Sequence, residues 1–287
     1  MTNTFIDRTA SLLVTFVVFW LITGTLTAAP DVDLWPYWQA HNADSEHTID
    51  HEQWAKWLDN WADQTKNGIR RVEYGSVDEA GKENLDQYLD HLTSITITDY
   101  NRDVQMAYWI NLYNALTVEV ILDHYPVDTI QDIDISPGWF SSGPWGKELV
   151  TVEGKDLTLN DIEHRILRPI WKDPRIHYVV NCASLGCPNL AGKPYTAERL
   201  DQMLEEAAVQ YINHPRGARV EDGSLIVSRI YSWYMSDFGG TEQSVIEHLQ
   251  AYAKDSLKQK LSSIDAIYDY RYDWTLNGVD QQWNPEE

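Results

Sequence analysis

The longest apolar pattern in the chain runs from Val104 to Leu122. Met106, Ala107, Trp109, Ile110, Leu112, Tyr113, Ala115, Leu116, Val118, Val120 and Ile121 leave it almost no polar side, and a helix apolar all round is a buried one. Asp99 and Asn101 stand before it as capping residues. The exceptions within it are Gln105, Asn111, Asn114, Thr117 and Glu119. Asn111 and Asn114 lie three apart and share a face. A buried amide left unpaired costs about 1–3 kcal/mol. This pair therefore either ties down neighbouring loops or lines a pocket, and struts are the commoner use.

Upstream, Asp50 is placed to cap a helix whose Trp54, Trp57, Leu58 and Trp61 follow the i, i+3, i+4, i+7 pattern, with Asn67-Gly68 as its stop. A second helix is predicted from Asp78 to Leu92, with Leu85, Tyr88, Leu89 and Leu92 inward. Gly and Pro punctuate residues 125–146 as a long loop. Lys147 to Val152 and the Gly154-Lys155 turn read as a hairpin. Thr158 opens a helix with Asp161 completing a capping box; it carries Glu163 and His164, and Pro169 stops it. Arg175 to Cys182 reads as a buried strand breaking into the turn Ala183-Ser184-Leu185-Gly186, followed by Cys187-Pro188. Thr196 then opens an amphipathic helix that ends at Pro215, and Asp222-Gly223 marks a hairpin. Ile230 to Phe238 is aromatic and helical, closed by Gly239-Gly240, and Thr241 starts a last helix. Tyr268, Tyr270, Tyr272, Trp274 and Leu276 alternate with polar residues, the period of a half-buried strand. These elements predict one α+β domain from residue 30 to 287, a buried central helix with surrounding helices packed on a small, mainly antiparallel sheet.

Composition narrows the choice of function. The 13 Trp and 16 Tyr among 287 residues suit either a core or a sugar-binding groove, and aromatic side chains mostly serve as core. The formal net charge of -22 provides no basic footprint for a phosphate backbone, which excludes nucleic acid. Asp128, Asp132 and Asp134 fit a solvated loop and not the ligand spacing of an EF-hand. At the N-terminus, Leu12 to Ile22 is apolar but for Thr15, Arg8 precedes it, and the small residues Thr25 to Ala29 follow. This is the pattern of a secretory signal over residues 1–29, cut after Ala28 or Ala29. Left uncut, the segment is an N-terminal anchor and the only link to a membrane. The expected location is the periplasm or the extracellular space, tethered to the inner membrane in the uncut case.

Several segments resemble one family when taken together. They are Ala107-Tyr-Trp-Ile-Asn-Leu-Tyr-Asn-Ala-Leu-Thr117, Asp161-Ile-Glu-His-Arg-Ile-Leu-Arg168, Arg175-Ile-His177 with Cys182-Ala-Ser-Leu-Gly-Cys-Pro188, and the block Trp233 to Phe238. In this order they resemble the bacterial branch of the family catalogued as domain of unknown function 547, over roughly residues 95 to 240. The resemblance implies a widespread domain, often exported in bacteria, with no agreed activity and no catalytic residue to carry over.

The two cysteines permit three chemistries. In an oxidising compartment an isolated pair suggests a Cys182–Cys187 disulfide. The C-x4-C spacing with His177 or His164 is looser than zinc sites use and lacks a second half, so neither metal nor other cofactor is expected. As a nucleophile, Cys182 needs an imidazole base and a third group to orient it, with N–H groups of residues 183–186 available to an oxyanion. His177 lies five residues back on the expected strand, on the opposite face and about 16 Å away, which assigns it to the core or to a supporting position. His164 is then the base, and Asn111, Asn114 or Glu119 the orienting group. Ser184, Glu163, Arg175 and His177 remain as binding residues, although Arg175 has many acids near it to pair with. The leading expectation is an exported cysteine-dependent hydrolase or acyl transferase acting on a peptide or envelope polymer. The alternative is a non-catalytic binding or structural module held by the disulfide, with a small-molecule, peptide or envelope ligand.

Overall fold

The computed structural model describes residues 31–62, 65–138 and 143–286; the expected export segment lies outside them. Three helices open the described chain: α1 (Glu52–Trp61), α2 (Glu79–Thr93) and α3 (Arg102–His124). The Asp78 side chain caps α2 by accepting from the Gly81 N–H, and Asn101 caps α3 through Val104, each satisfying a donor that a helix start leaves free. Of the 23 residues of α3, 18 are buried, so it runs through the interior as its apolar periphery requires. Asn67-Gly68 is not the stop of α1. It is the turn of a two-residue hairpin, β1 (Thr65–Lys66) with β2 (Ile69–Arg70), and both turn residues have positive φ, as a tight hairpin demands.

Beyond the long loop come the hairpin β3 (Val150–Val152) with β4 (Lys155–Leu157) and then a helical stretch. Thr158 and Asp161 bond each other's backbone N–H at its start. From Asp161 to Leu167 the stretch is π-helical, and it tightens into α4 (Arg168–Trp171). Pro169 does not end this helix. It sits in the first turn of α4, where a missing N–H costs little.

The stretch from Arg175 to Cys182 departs most from expectation, because it is not a strand. Pro174–Tyr178 is a 3-10 helix, started by the Asp173 carboxylate accepting from the Arg175 N–H. Pro in the first turn and an Asp cap favour this start, and a short apolar run fits a buried helical turn as well as a strand. The two-residue period never applies between His177 and Cys182, so the argument that they face opposite ways fails.

The second half holds α5 (Leu200–Ile212), the strands β5 (Ala218–Glu221) and β6 (Ser224–Ser228), α6 (Ile230–Trp233), α7 (Glu242–Tyr252), α8 (Asp255–Leu261) and β7 (Ile267–Arg271). The first two strands form the Asp222-Gly223 hairpin, while β7 joins β6 in parallel. The strand expected to reach Leu276 stops at Arg271. Tyr272 and Asp273 are both buried, and two consecutive inward residues break a period of two. The fold is α+β, with small, mostly antiparallel sheets. Its core divides into a cluster around α3 and a cluster around Tyr178, Tyr211, Tyr231 and Val245. Ala183 belongs to the first and Cys187 to the second, so the cysteine loop lies at their seam.

Candidate active site

The loop from Asn181 to Pro188 is held from several sides. Asn114 on α3 donates from Nδ2 to the Val179 carbonyl at 2.9 Å and accepts from the Asn181 N–H at 2.8 Å. Asn181 in turn donates to the Pro188 carbonyl and accepts from the Ala183 N–H, closing the loop on itself. The segment after β7 holds the other side: Leu185 N–H donates to Thr275, Gly186 N–H to Asp273, and Asn277 N–H to Ala183. A side chain at Gly186 would place its Cβ 2.7 Å from the Asp273 nitrogen, a contact with backbone that nothing can relieve cheaply. Ala183 sits at φ 57, a left-handed conformation that costs about 1–3 kcal/mol outside glycine. Immobilised backbone strain directly after Cys182 is characteristic of residues positioned for chemistry.

Within this frame the two sulfurs lie 3.0 Å apart, beyond the bond length of a disulfide, and both cysteines are free thiols. Cys187 is buried, and its sulfur accepts the Cys182 N–H at 3.0 Å. Cys182 is set deep but keeps part of its surface open. Its sulfur meets the Tyr272 hydroxyl at 2.9 Å and the Ser184 hydroxyl at 3.5 Å. Burial pushes the Cys182 thiol up, yet hydrogen bonds from Cys187, Ser184 and Tyr272 outweigh it and leave its pKa below the ordinary thiol value. Burial and the neighbouring Cys182 sulfur drive the Cys187 thiol well above that value. Of the two thiols Cys182 is therefore the easier to ionise, because hydrogen bonds favour its charged form. Replacing Tyr272 with Phe removes one donor. Iodoacetamide labelling of Cys182 at pH 7 should then slow several-fold and recover at higher pH; a rate unchanged across pH 6–9 contradicts this account of the thiolate.

A second polar cluster gathers around His177. His177 Nε2 meets Asp237 Oδ2 at 2.8 Å, and Arg168 donates to the same carboxylate from Nε at 2.6 Å and Nη2 at 3.2 Å. These partners hold Asp237 far below the usual carboxylate range against the upward push of burial. The His177 ring stacks on Tyr234 with centroids 4.0 Å apart, and its Nδ1 has no hydrogen-bond partner. That nitrogen lies 3.7 Å from the Glu163 carboxylate, which Tyr113 and Tyr234 hydrogen-bond. Glu163 is close enough to Cys182 to act on its thiol electrostatically. Glu163 and His164 both project from the π-helical turn, a geometry that recurs at functional sites.

The residues singled out from sequence scatter. Cys182, Ser184 and Cys187 are brought together, with Glu163 within electrostatic reach of Cys182 and His177 next to Glu163. His164 is buried and bonds Arg168 through Nδ1 at 3.1 Å. Burial lowers its pKa, and no hydrogen bond joins it to Cys182. Asn111 is spent on Tyr195, exchanging bonds of 2.8 and 3.0 Å with its backbone. Asn111 also reaches His51 Nε2 at 3.5 Å, but neither asparagine is hydrogen-bonded to His164 or His177, and both act as struts. Glu119 lies elsewhere, among Asp123, Asp86 and Asp90, where burial first and these carboxylates second raise its pKa to about 7. Arg175 pairs with Asp173 and Asp201. The N–H groups expected to form an oxyanion site are engaged at Ala183, Leu185 and Gly186. Sequence reading missed Tyr272, Asp237 and Tyr234. Tyr234 and Asp237 stood inside the Trp233–Phe238 block, whereas nothing local distinguished Tyr272 from its strand neighbours.

Among the described residues, no helix is long and apolar enough to cross a membrane, and no group of three or more His, Cys, Asp or Glu side chains is placed to hold a metal ion. No curated protein and no solved structure matches the chain. Tyr234, Asp237 and Tyr272 come from beyond the stretch that a family model recognises, whereas α3, Glu163, His177 and both cysteines fall within it. That stretch, residues 97–212, matches the family described as "Protein of unknown function, DUF547".

Proposed function

We propose that the chain is a thiol–disulfide exchange enzyme, with Cys182 as the attacking thiolate and Cys187 as the resolving thiol. The supporting observation is the 3.0 Å separation of the two sulfurs, one partly open and the other buried. The Cys182 thiolate attacks one sulfur of a disulfide substrate, breaking its S–S bond, forming a mixed disulfide and releasing the other half as a thiolate. Cys187 then loses its proton to solvent and attacks the Cys182 sulfur. The Cys182–Cys187 disulfide forms and the second substrate thiolate leaves, two electrons having passed from the protein to the substrate. Such a pair works best when the nucleophile is a thiolate near ambient pH.

The test is redox equilibration of the full chain in glutathione or dithiothreitol buffers, read by mass spectrometry, together with the Cys187→Ser variant. A reversible two-electron transition between about -120 and -270 mV, the span of redox catalysts, supports exchange. So does a single glutathione mixed disulfide trapped on Cys182 in Cys187→Ser. A pair that stays oxidised below about -300 mV is a structural disulfide and returns the chain to the non-catalytic reading.

One observation favours a hydrolase or acyl transferase instead. His177 has Asp237 on one nitrogen and an unpaired second nitrogen, the arrangement of a base held by a third group. Against it, most loop N–H groups suited to an oxyanion are already bonded. An acyl adduct on Cys182, trapped with an activated ester and turned over by water, distinguishes this reading. Export through residues 1–29, into a compartment where a peptide or envelope component carries the disulfide, completes the proposal.

A further inference from the structure

Arg71 follows β2 directly and is 1% exposed. Its Nε, Nη1 and Nη2 have no hydrogen-bond partner among the described residues. A guanidinium keeps its charge at any pH a protein survives, and an uncompensated buried charge costs several kcal/mol. A second guanidinium lies within electrostatic reach. Arg216 is buried and donates to the Leu185 carbonyl at 2.9 Å and to Asn189 Oδ1 at 2.6 Å, while its Nε has no partner. His214 feels both arginines. Asp273 is the carboxylate acting on Arg71, and its two oxygens already accept the Thr275 and Asn284 N–H groups at 2.9 and 3.0 Å. One carboxylate thus acts on Arg71 while Arg216 adds a second positive charge nearby, in a protein whose overall charge is -22. Acidic side chains are abundant, yet none bonds Arg71. Trp283 packs edge-on against His214 with centroids 5.2 Å apart, so the segment that ends the described chain closes the place from one side.

We infer that Arg71 and Arg216 form a buried receptor for a small oxyanion: the carboxylate, phosphate or sulfate group of a ligand, held by the planar fork of Arg71. Planar, multiply donating recognition of an oxyanion is what arginine does better than lysine. The receptor lies behind the cysteine loop, since Arg216 holds Leu185, but it does not depend on the redox reading of the thiols.

The experiment is a calorimetric titration of the full chain with inorganic phosphate and with sulfate at fixed ionic strength, paired with thermal melting. Wild type is expected to bind one anion saturably and to melt higher when it is bound. Arg71→Met should bind at least tenfold more weakly, Arg71→Lys should fall between, and the surface variant Arg219→Met should match wild type. The absence of saturable binding in wild type, or undiminished binding in Arg71→Met, overturns the inference. If Arg71→Met does not fold, wild-type crystals grown in selenate decide it. An anomalous peak within hydrogen-bond distance of the Arg71 guanidinium supports the receptor, and water alone at that place refutes it.

Discussion

Cys182→Ser is expected to lose thiol–disulfide exchange by at least about 1000-fold while melting within about 2 °C of wild type. A hydroxyl cannot form the mixed disulfide, so the loss is chemical and complete for any covalent route. Stability should hold because serine is nearly isosteric. Its oxygen can keep company with the Tyr272 and Ser184 hydroxyls, and the Cys182 N–H bond to Cys187 is made by backbone. The pH profile carries the second half of the expectation. Exchange follows the thiolate fraction, and the Cys182 pKa is lowered. The wild-type rate should therefore hold as pH falls below the ordinary thiol range near 8.5, declining only through the lowered pKa. A profile that tracks an ordinary thiol, or a serine variant with retained exchange, removes Cys182 from the role of nucleophile.

Asp237→Ala should be the most destabilising single change at the site, by about 3–5 kcal/mol, the cost of leaving a buried pair half broken. The carboxylate holds three bonds, two to Arg168 and one to His177, and the side chains of those partners are 4% and 1% exposed. Removing it takes two bonds from a guanidinium and one from a ring nitrogen where water scarcely reaches. Asp237→Asn keeps the shape and should cost less. The sign with pH is fixed by the depressed pKa of Asp237. Its contribution is full above the unfolded carboxylate value near 4, begins to shrink as pH falls below it, and is gone only below the far lower folded pKa. Urea melts at pH 7 and pH 3.5 measure this directly, and the gap between wild type and Asp237→Ala should narrow in acid. A gap under about 1 kcal/mol at pH 7 means that solvent, not Asp237, satisfies the pair.

Much of the scaffold was legible because its signals are local. Asp78 and Asn101 cap the helices they precede, Asp222-Gly223 turns its hairpin, and the all-round apolar stretch is the buried α3. Asn111 and Asn114 were recognisable as a buried pair needing partners, and the backbone of Tyr195, Val179 and Asn181 supplies them. The reading failed where one pattern fits two conformations. Ile176 to Val180 suits a buried strand or a buried helical turn equally, and choosing the strand turned His177 away from the site. The likeness over residues 97–212 delimits much of the site but ends before Asp237 and Tyr272.

By itself the chain determined that a buried helix organises an acidic α+β fold, and that both cysteines share one short loop. Burial, capping and turn chemistry act over a few residues, so a sequence displays them openly. The tertiary structure decided which charges meet. It brought Tyr272 from after the last strand and Ser184 from the loop onto the Cys182 sulfur, and Asp237 from beyond α6 onto His177 and Arg168. The lowered pKa of Cys182 depends on hydrogen bonds from residues as far as 90 positions away. A pKa is set by distances in space and by exclusion of water, and neither quantity can be read along a chain.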